Sequence, residues 1–144
     1  MEKAIQTLAD LAAEASRFAK TLTPSPKTAT LVTLSGELGA GKTAFTKAVA
    51  QALDIEETVT SPTFVLEKIY SLQHAAFARL IHIDAYRLES GSELTPLGFG
   101  EVLQDPTNLI LLEWPEKVSD ALPKPAIHIT LAVKADGLRT ISYE

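Results

Sequence analysis

The chain lacks several features that would place it in whole classes of protein. It contains no cysteine, which excludes disulfide bonds, thiolate catalysis and zinc sites built on cysteine. No apolar stretch is long enough to cross a bilayer, and the N-terminus lacks the charged-then-apolar plan of a signal peptide. We therefore expect a cytoplasmic protein with no membrane segment. The net charge is −5 without Lys/Arg runs, so the chain is poorly suited to hold nucleic acid unaided.

What is present fits an ordinary globular domain. The 144 residues are 46% hydrophobic and 22% charged, enough apolar content for a sizeable core. Internal repeats and low-complexity tracts are missing. The length and composition therefore predict one domain over residues 1–144.

One stretch matches the phosphate-binding pattern G-x-x-x-x-G-K-S/T at every constrained position. It reads Gly36-Glu37-Leu38-Gly39-Ala40-Gly41-Lys42-Thr43. Residues 30–34 before it are apolar and β-rich, which is typical of a buried strand. After it, apolar residues recur at the spacing of a helix: Phe45, Ala48, Val49, Ala52 and Leu53. A strand, a glycine loop and a helix start are the context that phosphate binding requires.

Each residue type in this loop has a chemical reason. Glycines let the backbone turn so that its N–H groups point at phosphate oxygens, and the helix N-terminus adds partial positive charge. Lys42 is expected to reach the β- and γ-phosphates, and the Thr43 hydroxyl to bind Mg²⁺. The alternative is a glycine-rich turn carrying a surface lysine, but the flanking strand and helix argue against it. The loop predicts that the protein binds a nucleoside triphosphate.

The remaining pattern predicts the rest of an α/β domain. An amphipathic helix over 4–22 comes first and ends at the prolines of 23–26. Short helical pieces are predicted farther along the chain, over 88–103. Strands are predicted at 63–71 and 78–85, and they are joined around Gln73-His74. A buried central strand is predicted at 109–112, followed by a hairpin of 126–133 with 138–143. These elements favour a three-layer, P-loop NTPase-like fold with a mixed, largely parallel sheet and antiparallel additions.

Two of the predicted strands end in acids. Asp84 ends Leu80-Ile81-His82-Ile83, and Glu113 ends the apolar run 109–112. Ligands gather at the carboxyl ends of strands in open α/β sheets, so both carboxylates can converge on bound phosphates. A solvated carboxylate at a strand edge is the plainer alternative, but the P-loop in the same small domain favours the functional reading. Which acid serves the metal and which orients water stays open.

Three weaker candidates accompany the acids. Ser61-Pro62-Thr63 offers hydroxyls that could sense the γ-phosphate, although a simple turn explains it as well. Trp114, the only tryptophan, could line the nucleotide or a partner surface, or pack in the core. The histidines His74, His82 and His128 lack metal-ligand spacing, and His82 is predicted to be a packed or edge residue rather than a catalyst.

Four motifs together resemble a known family. Residues 34–43, Ser61-Pro62-Thr63-Phe64, the stretch 82–88 (His-Ile-Asp-Ala-Tyr-Arg-Leu) and Glu113-Trp114-Pro115-Glu116 follow its order and approximate spacing. Residues 93–94 and 97–99 fit the segment between the last two. The chain is similar over nearly its whole length to TsaE, also called YjeE, the small bacterial ATPase of tRNA threonylcarbamoyladenosine biosynthesis. Only the P-loop among these motifs is specific by itself.

The resemblance implies ATP and Mg²⁺ as cofactors, with hydrolysis that drives or resets partners of the TsaB and TsaD type. tRNA would be met only indirectly, through that complex. It further implies phosphate binding by Lys42 and the loop 36–44, Mg²⁺ ligation by Thr43 and Glu113, and a catalytic or water-positioning role for Asp84.

The resemblance also implies contacts farther from the phosphates. Thr63 would lie on a switch-like loop, Thr7 near the adenine, and Arg139 near the nucleotide. Trp114 is assigned to the nucleotide site only by its place directly after Glu113. The chain departs from the family at three positions. Ala44 stands where many relatives have a second threonine, Phe64 where tyrosine is frequent, and Phe99 where an aliphatic residue is usual. The two phenylalanines bear on partner contacts more than on ATP binding.

Two other classes of function stay open. P-loop folds also host small-molecule kinases, but the chain shows no basic lid segment and little room for an acceptor domain. A nucleotide-controlled binding module with incidental hydrolysis is the third reading. The guanine-reading sequence Asn-Lys-x-Asp is missing, which argues against a GTPase.

Overall fold

A computed structural model describes residues 2–37, 39–55, 67–72 and 76–144. Within them the sheet has seven strands in the order β1-β7-β6-β2-β5-β4-β3. Their bounds are β1 Glu2–Ile5, β2 Thr30–Ser35, β3 Glu67–Ser71, β4 Arg79–Asp84, β5 Asn108–Glu113, β6 Ile127–Val133 and β7 Arg139–Tyr143.

The four central strands, β6, β2, β5 and β4, are parallel, whereas β1, β7 and β3 pair antiparallel at the two sides. Because the central strands are parallel, their carboxyl ends share one edge of the sheet. The predicted mixed α/β fold is confirmed, including the hairpin of β6 and β7 and the buried central strand β5.

Helices cover both faces of the sheet. The helices α1 (Leu8–Thr21) and α2 (Lys42–Ala52) share one core cluster with the sheet, centred on Phe18, Phe45 and Leu111. On the opposite face lie a 3-10 helix (Gly91–Leu97) and α3 (Phe99–Gln104). Alternate residues of β5 point to opposite faces, since Leu109 and Leu111 join the first cluster and Ile110 and Leu112 the second. The three-layer arrangement predicted from the sequence is therefore present.

The N-terminal residues differ from the prediction. The sequence pattern predicted a helix from residue 4, but Glu2–Ile5 form β1 against β7, and α1 begins only at Leu8. Thr7 caps the helix: its Oγ1 accepts from the Asp10 N–H at 3.0 Å, and the Asp10 carboxylate accepts from the Thr7 N–H at 3.1 Å. This reciprocal cap sets the boundary. The buried face of α1 includes Leu11 and Phe18, whereas Leu8 is 81% exposed.

Among the described residues, no helix is both long and apolar enough to cross a membrane.

Candidate nucleotide-binding site

The glycine loop connects the carboxyl end of β2 to the first turn of α2. Gly41 has φ of 108° and precedes the first helical residue, Lys42, so the free N–H groups of the helix start face the loop. Gly36 has φ of 152°, and a Cβ there would stand 2.3 Å from the backbone oxygen of Leu131. A side chain at this position would therefore collide with β6. The local geometry of a phosphate-binding loop follows from these glycines.

Lys42 is held inside this loop. Its Nζ donates to the backbone oxygens of Gly36 and of Glu37, the latter at 3.0 Å, and stands 4.2 Å from the centre of the Trp114 ring. Burial lowers the pKa of Lys42, while the nearby carboxylates of Glu113, Glu116 and Asp84 oppose that shift. The ammonium is thereby held in the glycine loop, within electrostatic reach of three carboxylates.

Thr43 and Glu113 meet although they are 70 residues apart. The Thr43 Oγ1 donates to both carboxylate oxygens of Glu113, at 3.3 Å each. Glu113 is only 2% exposed and ends the central strand β5. Its Oε2 also lies 2.5 Å from the Nε2 of His82 on the neighbouring strand. A hydroxyl and a carboxylate that Mg²⁺ could bind are thus brought together by α2 and β5.

Asp84 lies opposite Glu113 in the register of β4 and β5. Its Oδ1 accepts from the Tyr86 N–H at 3.0 Å. Burial is the main cause that raises the pKa of Asp84, the Tyr86 hydrogen bond opposes it, and the charge of Glu113 raises the pKa further. A buried carboxylate with a raised pKa, close to the loop lysine, is suited to accept a proton from water.

A cleft of about 690 Å³ connects these groups to the N-terminal part of the chain. This size is sufficient for a nucleotide-sized ligand. Among its lining residues are the predicted Thr7, Gly39, Ala40, Gly41, Lys42, Thr43, Ala44, Asp84, Glu113, Trp114 and Arg139. The Arg139 Nη2 donates to the backbone oxygen of Gly39 at 3.4 Å, which places its guanidinium beside the glycine loop.

Two predicted site residues, Leu38 and Thr63, lie outside the described residues, as do the rest of Ser61-Pro62-Thr63-Phe64 and the connection at Gln73-His74. Glu37 is exposed and contributes its backbone oxygen to Lys42. The Thr7 side chain caps α1 and also lines the cleft.

Sequence reasoning missed several groups that line or support the cleft. Tyr86 packs against Trp114 with ring centroids 5.0 Å apart, and Leu8, Leu11 and Leu131 supply apolar wall. His82 was predicted to be a packed or edge residue; it is fully buried, and its contact with Glu113 was not foreseen. Trp114 itself has φ of 61°, a left-handed backbone that is unusual for a large side chain. The local sequence does not indicate this backbone, because a residue that precedes a proline such as Pro115 ordinarily adopts an extended conformation.

The donor set also bears on which metal this cleft would suit. Within the described ranges, no three His, Asp or Glu side chains form a group that could hold a metal ion by themselves. Mg²⁺ at a nucleotide site takes one or two protein oxygens and completes its shell with phosphates and water. Thr43 and Glu113 fit that requirement.

The fold and the loop are those of a P-loop nucleotide-binding protein. The family described as "Threonylcarbamoyl adenosine biosynthesis protein TsaE" matches residues 7–141. The chain belongs to the TsaE family, and the resemblance seen in its motifs is confirmed.

Curated relatives and a solved structure agree with this assignment. The tRNA threonylcarbamoyladenosine biosynthesis protein TsaE of Treponema pallidum is 41% identical over 112 residues, covering 78% of this chain and 79% of that protein. Its namesake in Rickettsia bellii is 36% identical over 135 residues, covering 93% and 90%. The crystal structure of Bacillus subtilis YdiB superposes with a TM-score of 0.77 at 28% identity, covering 99% of this chain and 83% of that one.

Proposed function

We propose that residues 1–144 form a single Mg²⁺-dependent ATPase domain that serves tRNA threonylcarbamoyladenosine biosynthesis in the cytoplasm. ATP hydrolysis would drive or reset partner proteins of the TsaB and TsaD type. The family assignment supports the biosynthetic role, because the relatives carry that function in their names.

One observation carries the ATPase part of the proposal: Lys42, Thr43, Glu113 and Asp84 converge on one cleft from three separate segments. Lys42 Nζ stands near the carboxylates of Glu113 and Asp84, and Thr43 bonds Glu113 directly. A site that only held a phosphate would need the loop and its lysine. Two buried carboxylates beside them are explained by a metal ion and a water nucleophile.

Each group then has a defined task. The loop N–H groups of 36–44 and the Lys42 ammonium bind the phosphates, exchanging the loop oxygens of Gly36 and Glu37 for phosphate oxygens. Thr43 and Glu113 would hold Mg²⁺, which when bound neutralises charge that develops on the β- and γ-phosphates. Asp84 orients a water molecule and accepts its proton. Its raised pKa makes it a better base than an exposed aspartate.

The base of the nucleotide would lie toward the junction of β1 and α1. Thr7 and Leu11 line that part of the cleft, and Arg139 and Trp114 flank the glycine loop. Leu38 and Thr63, which lie outside the described residues, stay sequence-based predictions for phosphate binding and for a switch-like loop.

The net charge of the chain argues that it meets tRNA only indirectly. With a net charge of −5, the chain has little electrostatic attraction for a phosphate backbone. Partner proteins would therefore hold the tRNA, and this chain would supply the hydrolysis step.

The test is ATP hydrolysis by the purified chain, alone and with the TsaB and TsaD proteins of the same organism, in parallel with repeated-turnover tRNA modification. We expect stimulation by the partners and stalled modification with Lys42→Ala. Lys47→Ala, on the exposed side of the same helix, is the matched control. Failure of the partners to stimulate hydrolysis, together with phosphate transfer to a metabolite, would replace this proposal with a small P-loop kinase. Modification that proceeds at full rate with Lys42→Ala would leave a nucleotide-controlled binding module.

A further inference from the structure

His82 occupies a position where an apolar residue would be the simplest choice. It lies on β4, is fully buried, and points to the face that carries Leu80, Leu109 and Leu111. Burying a polar ring among such neighbours is costly unless the ring is hydrogen-bonded. His82 has no role in the proposed ATPase chemistry, so its hydrogen-bond contacts must account for an imidazole at this position.

The described residues give this ring one polar partner, the carboxylate of Glu113. His82 Nε2 lies 2.5 Å from Glu113 Oε2, whereas its Nδ1 is buried without a hydrogen-bond partner in the described part of the chain. An ionised carboxylate only accepts hydrogen bonds, so the proton of this bond resides on Nε2. The Nε2–H of His82 therefore donates to Glu113.

This hydrogen bond is the shortest that Glu113 makes in the described residues. The Thr43 hydroxyl is 3.3 Å from each carboxylate oxygen, and it shares its single proton between them. This longer bond holds the carboxylate less firmly than the bond from His82, and the Thr43 hydroxyl can rotate when its oxygen binds a metal ion. The bond from His82 does not involve the cleft, because the ring is fully buried behind the carboxylate. The His82 hydrogen bond therefore holds the Glu113 carboxylate in place however the Thr43 hydroxyl is oriented.

We propose that His82 is a positioning residue that orients the Glu113 carboxylate for the Mg²⁺ of a bound nucleotide. This inference rests on the proposed function, since it assumes that Glu113 serves a metal. Buried partners of metal-binding groups fix the orientation of those groups, and their loss typically costs about 10- to 100-fold in metal affinity or activity. His82 would raise the fraction of molecules in which Glu113 faces the metal, without contacting nucleotide or metal itself.

The test compares ATP affinity in Mg²⁺ with ATP affinity in EDTA, measured by calorimetry on the full chain. The ratio of the two affinities is the Mg²⁺ enhancement. We expect His82→Met, which keeps an unbranched buried side chain but no donor, to lower the enhancement about 10-fold or more, with affinity in EDTA unchanged. His82→Gln carries an N–H donor of similar reach and should restore most of it. His82→Asn, whose amide falls short of Glu113, should behave like His82→Met and supplies a second variant if that one does not fold.

A structural role for His82 predicts a different result. Loss of packing alone would change the affinity in EDTA and in Mg²⁺ by the same factor, or lower only the stability. His128→Asn is the matched control, because His128 lies on β6, contacts Thr33 through Nδ1 at 2.7 Å, and faces the opposite side of the sheet. It should keep the full enhancement. Both Glu113→Gln and the double variant Glu113→Gln/His82→Met should show the same low enhancement, since His82 acts through Glu113.

The outcomes separate this inference from the proposed function. If the unmodified protein binds ATP equally well with and without Mg²⁺, the proposed metal site fails and the inference fails with it. If the unmodified protein shows the enhancement and both His82→Met and His82→Asn retain it, the positioning role is wrong and the ATPase proposal stands. Equal loss in His82→Gln and His82→Met would also overturn the role, because the donor would then not matter.

Discussion

Asp84 and Glu113 lie directly opposite each other at the carboxyl ends of the parallel strands β4 and β5, yet their surroundings differ. Among the described residues, Glu113 accepts hydrogen bonds from the side chains of Thr43 and His82, whereas Asp84 accepts one from the backbone N–H of Tyr86. The carboxylate that is held among side chains suits a fixed metal ligand. Asp84 has a raised pKa and, within the described residues, its Oδ1 accepts only from a backbone N–H, which suits it to bind a water molecule.

This difference predicts separate effects of the two acids. Asp84→Asn should leave ATP affinity within a factor of about two while lowering the rate of hydrolysis about 100-fold or more, because a general base contributes on that order. Single-turnover hydrolysis and calorimetric binding give the two quantities. Asp54→Asn, at an exposed turn after α2, should change neither. Undiminished hydrolysis by Asp84→Asn would assign the base elsewhere.

Lys42 should contribute mainly to the binding of the triphosphate. Hydrogen bonds to charged groups contribute about 1.5–3 kcal/mol, so Lys42→Ala should weaken ATP binding about 10- to 100-fold. The fluorescence of Trp114 is a convenient signal, because it is the only tryptophan and its ring lies 4.2 Å from Lys42 Nζ. Lys47→Ala should bind ATP normally. Unchanged ATP affinity in Lys42→Ala would contradict its assignment to the phosphates.

Gly36 allows the glycine loop to pass close to β6. A side chain at this position should therefore disturb both the loop and its packing on β6. The new Cβ of Gly36→Ala would stand 2.3 Å from the Leu131 oxygen, and φ of 152° is unfavourable for any residue with a side chain. Overpacking of this kind costs about 1–3 kcal/mol, so we expect lower stability together with weaker ATP binding. Gly137→Ala is the control for positive φ alone, since φ is 85° there and no atom lies within 4 Å of the added Cβ. Normal ATP affinity in Gly36→Ala would show that the loop tolerates displacement.

The sequence allowed the fold and most of the cleft to be predicted because their signals are local. Glycine spacing, the apolar run before Glu113 and the helical stripe after Thr43 each lie within one segment of the chain. Strand β1 was missed because Ile5 fits the apolar pattern of the predicted helix over 4–22, while the strand pairing of Glu2–Ile5 depends on β7 at the other end of the chain. The Thr7 and Asp10 capping box was the local signal that could have set the helix start.

The contact between His82 and Glu113 could not be predicted for a related reason. It depends on the register of β4 and β5, which pairs His82 with Leu111 and Asp84 with Glu113. Register is a property of the packed sheet, because a slip by one residue would turn His82 to the other face. Only the folded arrangement brings these two side chains together.

Glu14 provides a prediction for stability that is independent of nucleotide. It is 8% exposed on α1 and is bonded by Arg17, Lys3 and the Tyr143 hydroxyl, so it ties α1 to both β1 and β7. Burial raises the pKa of Glu14, but the hydrogen bonds of Arg17, Tyr143 and Lys3 outweigh it and lower the pKa from 4.5 to about 2. The carboxylate form is therefore favoured by folding.

The sign of the pH dependence follows from that shift. Because the pKa is lower in the folded state, this contribution is complete above about pH 4.5 and is lost as the pH falls toward 2. One pKa unit corresponds to about 1.4 kcal/mol, and the partial exposure of Arg17 reduces the total to on the order of 2 kcal/mol. Urea unfolding should thus show Glu14→Gln less stable than the unmodified protein by about that amount at pH 7, with the difference shrinking below pH 4.5. Glu101→Gln, exposed on α3, should follow the unmodified protein at every pH. A difference for Glu14→Gln that stays constant from pH 7 to pH 3 would mean that packing, rather than the carboxylate charge, sets its contribution.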